Sequence, residues 1–185
     1  MIFSLLLTPF LLLGSYFGMP PASVYLTQNG RVHFKSDAPL ELIEARSEEL
    51  KGAIDIDKGT FAFTLEILSF KGFNSRLQRE HFNENYLESS KYPKAAFVGK
   101  IIEKLDFSQN GSYNVRAKGK LSIHAVDRER IIKSIVTVKN GELHLQSYFT
   151  VLLSEHEIAI PKIVHQKIAE EIEVKVEAVF KKHSG

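Results

Sequence analysis

Apolar and charged residues alternate with a period of two along most of this chain, and that alternation constrains its fold more than any other feature. In YNVRAKGKLSIH (113–124), apolar or small residues occupy the odd positions and polar or charged residues the even ones. The runs FAFTLEI (61–67), ELHLQSYFTVLL (142–153) and IEVKVEAVF (172–180) largely repeat the pattern. Side chains point alternately to the two faces of a strand, so these runs predict β-strands with one buried face.

Glycine-containing dipeptides separate several of the predicted strands. Asn29-Gly30, Lys58-Gly59, Asn110-Gly111 and Asn140-Gly141 are each typical of a tight hairpin connection. About eight strands joined in this way predict an all-β fold, a single antiparallel sheet closed into a barrel. A two-sheet sandwich would give the same local pattern, so the residues alone leave closure open.

Helical character is confined to two stretches. Residues 74–90 open with the capping residues Asn74 and Ser75 and contain no β-branched residue, while Pro93 prevents the helix from continuing. A second short helix is predicted at about 161–170, where Pro161 stands at a first-turn position. The barrel is therefore expected to carry one helical connection and one further short helix.

The first residues indicate export from the cytoplasm. Residues 1–13 form an apolar run of the length found in secretory signals, small residues and prolines follow it, and the first charge is Arg31. The sequence predicts a signal peptide at 1–22, a barrel domain at 24–183, and a periplasmic or secreted protein.

Composition and motifs argue against several function classes. With 24 basic and 22 acidic residues the net charge is only +2, which does not suit a nucleic-acid partner. No nucleotide-binding, nucleophile-elbow or zinc-protease motif occurs, so we predict a protein that is not an enzyme and has no cofactor. Glu80, His81 and Glu84 lie close together and could ligate a metal, but no third ligand has fixed spacing to them. A capping and packing cluster is the favoured interpretation, and no metal site is predicted.

Four separated blocks resemble one known family. EHFNENYLESSKYPKAAFVGKI (80–101) closely resembles the signature region of the YceI family, lipocalin-like proteins that bind polyisoprenoids. The segments 38–70, 119–129 and 148–161 are similar to further family blocks in the same order. Ala125 and Asp127 depart from the glycine and threonine usual there.

The resemblance implies a lipocalin-like eight-stranded barrel whose apolar tunnel carries a long-chain lipid of the polyisoprenoid or isoprenoid quinone type. Small residues on the predicted inner face would leave room for such a ligand, although well-packed interiors are the rule. The alternative is a non-enzymatic interaction module with a filled lumen that serves a membrane-associated partner. Transient membrane contact and a homodimer are further partner hypotheses.

The predicted inner face supplies the candidate ligand-binding residues. Those lining the lumen are Phe61, Phe63, Leu65, Ile67, Phe97, Gly99, Ile101, Val115, Ala117, Gly119, Leu121, Phe149, Val151, Val174 and Val176. His81, Arg79 and Tyr86, on the helical connection, are the candidate contacts for a headgroup. The pattern places His33, His124 and His144 on the outer face.

Overall fold

Eight strands close into one antiparallel barrel in the computed structural model, which describes residues 23–104, 106–107 and 109–183. Each strand pairs with the next along the chain, and β1 pairs with β8 to complete the barrel. The strands are β1 (Val24–Asp37), β2 (Leu42–Asp55), β3 (Thr60–Glu66), β4 (Lys94–Ile101), β5 (Gly111–Ile123), β6 (Val126–Lys139), β7 (Glu142–Leu152) and β8 (Glu171–Lys182). The predicted barrel is confirmed, and closure excludes the sandwich. The predicted signal peptide lies outside the described residues.

The helical connection between β3 and β4 lies where the sequence predicts it. Helix α1 (Arg76–His81) begins after Ser75, whose hydroxyl accepts a hydrogen bond from the Gln78 N–H at 3.1 Å. A π-helical turn (Phe82–Tyr86) continues it. Short 3₁₀ turns are found at Ile67–Ser69, Leu153–His156 and Lys162–Val164. None of the described helices is long and apolar enough to cross a bilayer.

The second predicted helix is much shorter than about 161–170. Only Lys162–Val164 is helical, as a single 3₁₀ turn. The backbone after it bonds to the barrel instead: the Leu40 N–H donates to the Gln166 carbonyl at 2.9 Å, and the Ala169 N–H donates to Ser36 Oγ at 2.9 Å. These tertiary hydrogen bonds hold the segment in an irregular path toward β8.

Two of the four predicted hairpin turns are confirmed. Asn140-Gly141 joins β6 to β7 with positive φ at both residues (54° and 77°), and Lys58-Gly59 lies between β2 and β3. Asn29-Gly30 instead lies inside β1, where the register with β2 shifts. A Cβ on Gly30 would lie 3.0 Å from Ala178 Cβ, so this glycine allows β1 to approach β8 closely. Asn110-Gly111 ends a longer connection, residues 102–110, rather than forming a two-residue turn.

Gly99 and Gly119 pair across β4 and β5 and let these strands approach closely. A Cβ on Gly99 would lie 2.5 Å from the Gly119 Cα and would also clash with the Lys118 carbonyl oxygen. Both glycines therefore bring two strands together instead of lining the lumen as predicted, because each position faces the other backbone.

The two ends of the barrel differ. The closed end carries the connections 56–59, 102–110 and 140–141, and buried apolar side chains fill the interior there. Phe180 and Leu143 are almost fully buried, and Phe180 meets Phe63 edge-on at 5.8 Å. The open end carries the helical connection and the segments 38–41, 124–125 and 153–170. Any ligand that enters the lumen therefore enters from this second end.

Candidate functional site: the lumen of the barrel

An apolar cavity of about 510 Å³ occupies the lumen and reaches the open end. Its size falls within the range of small-molecule sites, about 300–1,000 Å³. Apolar walls offer water few hydrogen-bonding partners, so a cavity with this lining suits an apolar ligand better than water. The lumen therefore contains open space and is not a fully packed core.

The strands place nearly all of the predicted lining side chains against this cavity. The residues that border it are Phe61, Phe63, Leu65, Ile67, Phe97, Ile101, Val115, Ala117, Leu121, Phe149, Val151, Val174 and Val176. The period of two finds them because they lie at alternate positions of runs in which the intervening residues are mostly polar, charged or small.

Sequence reasoning missed the lining contributed by β1, β6 and the helical connection. Val32 and Phe34 on β1 and Val136 on β6 border the cavity, and the alternation within RVHFKS (31–36) could have revealed the first two. Phe34 stacks on Phe82 of the π-helical turn at 5.3 Å and meets Phe70 edge-on at 5.1 Å. These contacts bring the helical connection into the cavity wall near the open end.

Three segments form the mouth of the cavity and are tied together by hydrogen bonds. Gln78 Nε2 on α1 donates to Glu41 Oε1 at 2.8 Å, and the Leu40 N–H donates to the Gln166 carbonyl. Glu41 and Gln78 also border the cavity, as does Lys167. The wall is thus apolar inside, and its entrance adds polar groups to apolar ones, which suits a long apolar chain with a polar end.

Two of the three candidate headgroup residues border the cavity. His81 and Tyr86 do so, and burial raises the pKa of the Tyr86 hydroxyl above its ordinary value. Arg79 does not: its guanidinium points to another side of α1 and donates to the Leu68 carbonyl at 3.3 Å. The helical turn therefore places Arg79 away from the mouth, unlike His81 and Tyr86.

Glu80, His81 and Glu84, all described in the structure, do not come together as a group of metal-ligating side chains. Glu80 accepts a hydrogen bond from Arg76 at 2.8 Å on the exposed side of the helix. Among residues 23–104, 106–107 and 109–183, no group of three or more His, Cys, Asp or Glu side chains is placed to hold a metal ion.

A pair of serines is a polar feature of the largely apolar lumen. Ser134 Oγ and Ser147 Oγ on adjacent strands lie 2.9 Å apart, and Ser147 also donates to the Lys133 carbonyl at 3.2 Å. Both residues border the cavity and both are buried. When Ser147 donates to the Lys133 carbonyl, its oxygen is left to accept from Ser134, so both hydroxyl protons have an acceptor.

This pairing predicts non-additive stability effects. Ser147→Ala removes the partner of Ser134, and we expect a loss of about 1–2 kcal/mol because a buried hydroxyl loses its acceptor. The double replacement Ser134→Ala/Ser147→Ala should cost less than Ser147→Ala alone, since both polar groups leave together. Urea unfolding of the single and double variants measures this. If the losses in the free energy of unfolding of the two single variants sum to the loss of the double variant, the serines are not coupled.

His124 does not lie on the outer face of a strand, as the alternation predicts, because it begins the tight turn between β5 and β6 with φ of 54°. Its side chain is 12% exposed, with Nε2 2.7 Å from Glu88 Oε2 and Nδ1 3.2 Å from the His156 carbonyl oxygen. His124 thereby joins the helical connection to the 3₁₀ turn Leu153–His156 at the open end. Burial lowers the pKa of His156, which keeps that imidazole neutral at neutral pH.

The two departures from the family pattern lie in and beside the same turn. Ala125 has φ of 57°, a conformation that glycine adopts more easily, which accounts for the glycine usual at this position. Asp127 accepts a hydrogen bond from the Ser122 hydroxyl at 2.5 Å and pairs with Lys120 at 3.1 Å. These contacts lower the pKa of the Asp127 carboxyl. The aspartate therefore makes its own contacts across the turn.

Comparison with known proteins agrees with the barrel fold of this chain. Residues 26–180 match the family model of the YceI-like domain. No curated protein matches the chain.

Several solved structures share the barrel at low sequence identity. A polyisoprenoid-binding domain from Saccharophagus degradans, implicated in plant cell wall breakdown, is 13% identical with a TM-score of 0.73, covering 88% of this chain and 99% of its own. Burkholderia cenocepacia BcnA is 18% identical with a TM-score of 0.66, covering 81% and 95%. A YCEI protein of Campylobacter jejuni is 15% identical with a TM-score of 0.53, covering 71% and 78%.

Proposed function

The chain belongs to the YceI-like domain family, and on that premise we propose that its lumen binds and carries a long-chain apolar lipid of the polyisoprenoid or isoprenoid quinone type. The observation that carries the proposal is the apolar cavity of about 510 Å³, which is closed at one end and bordered by polar groups at the other. A similar structure is described as a polyisoprenoid-binding domain, which supports the choice of lipid class.

The residues that border the cavity support one placement of such a ligand. In this placement the hydrocarbon chain would extend from the mouth toward the aromatic side chains Phe61, Phe63 and Phe97, with its polar end near His81 and Tyr86, all of which border the cavity. Each methylene removed from water contributes about 0.8 kcal/mol before the entropic costs of binding. The proposed role is binding, because most of the side chains that the hydrocarbon chain would contact are apolar.

We further propose that the protein acts outside the cytoplasm. The support is compositional: the uncharged, apolar run at 1–13 followed by small residues and prolines is typical of a secretory signal. A carrier in an aqueous compartment beside a membrane would shield the lipid from water while moving it.

Chain length provides the test. We expect the delipidated protein to bind a series of prenols of increasing length with a dissociation constant that falls about tenfold for each added five-carbon unit. The reason is that each heavy atom typically contributes about 0.3 kcal/mol of binding free energy, which gives about 1.5 kcal/mol per unit. The gain should stop once the cavity is full. Fluorescence titration or calorimetry measures it.

The contradicting result is an affinity that does not depend on chain length, or the absence of any binding. A linear alkane series of matched lengths is the control for the lipid class. Equal affinity for both series would retain lipid binding in the lumen and reject a preference for isoprenoids.

A further inference from the structure

Exposed apolar side chains surround the mouth of the cavity. Ile163 is 91% exposed, Leu40 65% and Leu77 59%. These three residues, together with Lys162 and Lys167, are called the lip below. They belong to the three segments that hydrogen bonds tie together at the mouth, through Leu40 to Gln166 and through Gln78 to Glu41.

The lip is continuous with the apolar wall of the lumen. Leu77 borders the cavity although it is largely exposed, and so does Val164, next to Ile163. A lipid chain that leaves the cavity would therefore cross this surface. When the lipid leaves into water, its hydrocarbon chain and the apolar side chains of the lip are both exposed to water. When it leaves into a bilayer, both stay in contact with hydrocarbon.

Positive charge flanks the apolar part of the lip. Lys162 and Lys167 lie on either side of Ile163 and Val164, and both lysines are exposed. Apolar side chains beside lysines are typical of segments that insert shallowly into a membrane interface and are attracted by anionic lipid. The charge argues for a phospholipid surface over an apolar face of another protein.

We propose that the lip docks on a bilayer containing anionic phospholipid and that the lumen loads and unloads its ligand there. This inference rests on the proposed function, since it assigns the surface at which the bound lipid is exchanged. Ile163 enters the interfacial region, Leu40 and Leu77 follow at its edge, and the lysines contact the phosphate groups.

Co-sedimentation with vesicles of phosphatidylcholine and phosphatidylglycerol tests the proposal. We expect Ile163→Glu/Leu40→Glu to lower vesicle binding by at least about tenfold, because two apolar side chains that do not border the cavity become charged. The matched control is Ile131→Glu/Val98→Glu, which places the same charges on side chains that are 57% and 52% exposed on the barrel wall. The control should bind vesicles as the unaltered protein does. Binding should also weaken in vesicles of phosphatidylcholine alone.

A second measurement separates this inference from the proposed function. Each protein is loaded with a prenol from detergent solution, and its bound ligand is then quantified. If the lip variant holds the ligand and still binds vesicles like the control, the lip inference is wrong and lipid carriage stands. If no protein holds the ligand, the proposed function fails whatever the vesicles show. Loss of vesicle binding with retained ligand supports both.

Discussion

Ala117→Trp is expected to leave the barrel folded and to abolish retention of the lipid. Ala117 faces the cavity from β5, so the indole would occupy volume that the hydrocarbon chain otherwise fills. Because the cavity has room for it, the cost in free energy of unfolding should stay below about 1 kcal/mol, whereas overpacking a filled core costs about 1–3 kcal/mol. The measurements are urea unfolding and the amount of lipid that copurifies with the variant.

The control for this variant is Ala62→Trp, which places the same side chain on the exposed face of β3. It should keep both stability and ligand. A strongly destabilised Ala117→Trp protein would support the interaction module with a filled lumen. A stable Ala117→Trp protein that retains its lipid would place the ligand somewhere other than the lumen.

Gly119→Ala is expected to have the largest effect on stability. Its new Cβ would clash with the Val98 carbonyl oxygen and lie 3.0 Å from the Gly99 Cα, and neither backbone atom can move without separating β4 from β5. We expect a loss of about 3 kcal/mol in the free energy of unfolding, at the upper end of ordinary single substitutions. Chemical denaturation measures the loss.

Gly111→Ala is the matched control for Gly119→Ala. At Gly111 the atoms nearest to a Cβ would belong to the Tyr113 side chain, with its hydroxyl oxygen at an ordinary contact distance of 3.4 Å. That replacement should be neutral or slightly stabilising, because alanine restricts the unfolded chain. Equal effects at both positions would contradict the close approach of β4 and β5.

The barrel and most of its inner face could be predicted because both follow from local alternation. A strand with charges on one face and apolar residues on the other must turn the apolar face toward the core. A run such as 113–124 therefore shows which of its residues are buried without reference to distant parts of the chain. The close contact between Gly99 and Gly119 was harder to predict, because small residues on the inner face are compatible both with an empty lumen and with close packing of two strands. Only the register of β4 against β5 distinguishes the two, and register is not local information.

The mouth of the cavity depends on tertiary contacts that no local pattern contains. The segment after Pro161 carries an apolar stripe typical of a helix, yet its backbone bonds to Leu40 and Ser36 and stays irregular. Arg79 and His81 are two residues apart on α1, so the helical turn points them in different directions. His124 follows an alternating strand but belongs to the turn. In each case a contact between elements that are distant in sequence determines the position of the side chain.

Native mass spectrometry of the protein expressed with export, followed by solvent extraction and lipid analysis, tests lipid carriage most directly. The lumen described above predicts a stoichiometric adduct that is released as a polyprenyl or other long-chain species, and that is missing from Ala117→Trp. A bare mass that stays bare when prenyl lipids are supplied would contradict it.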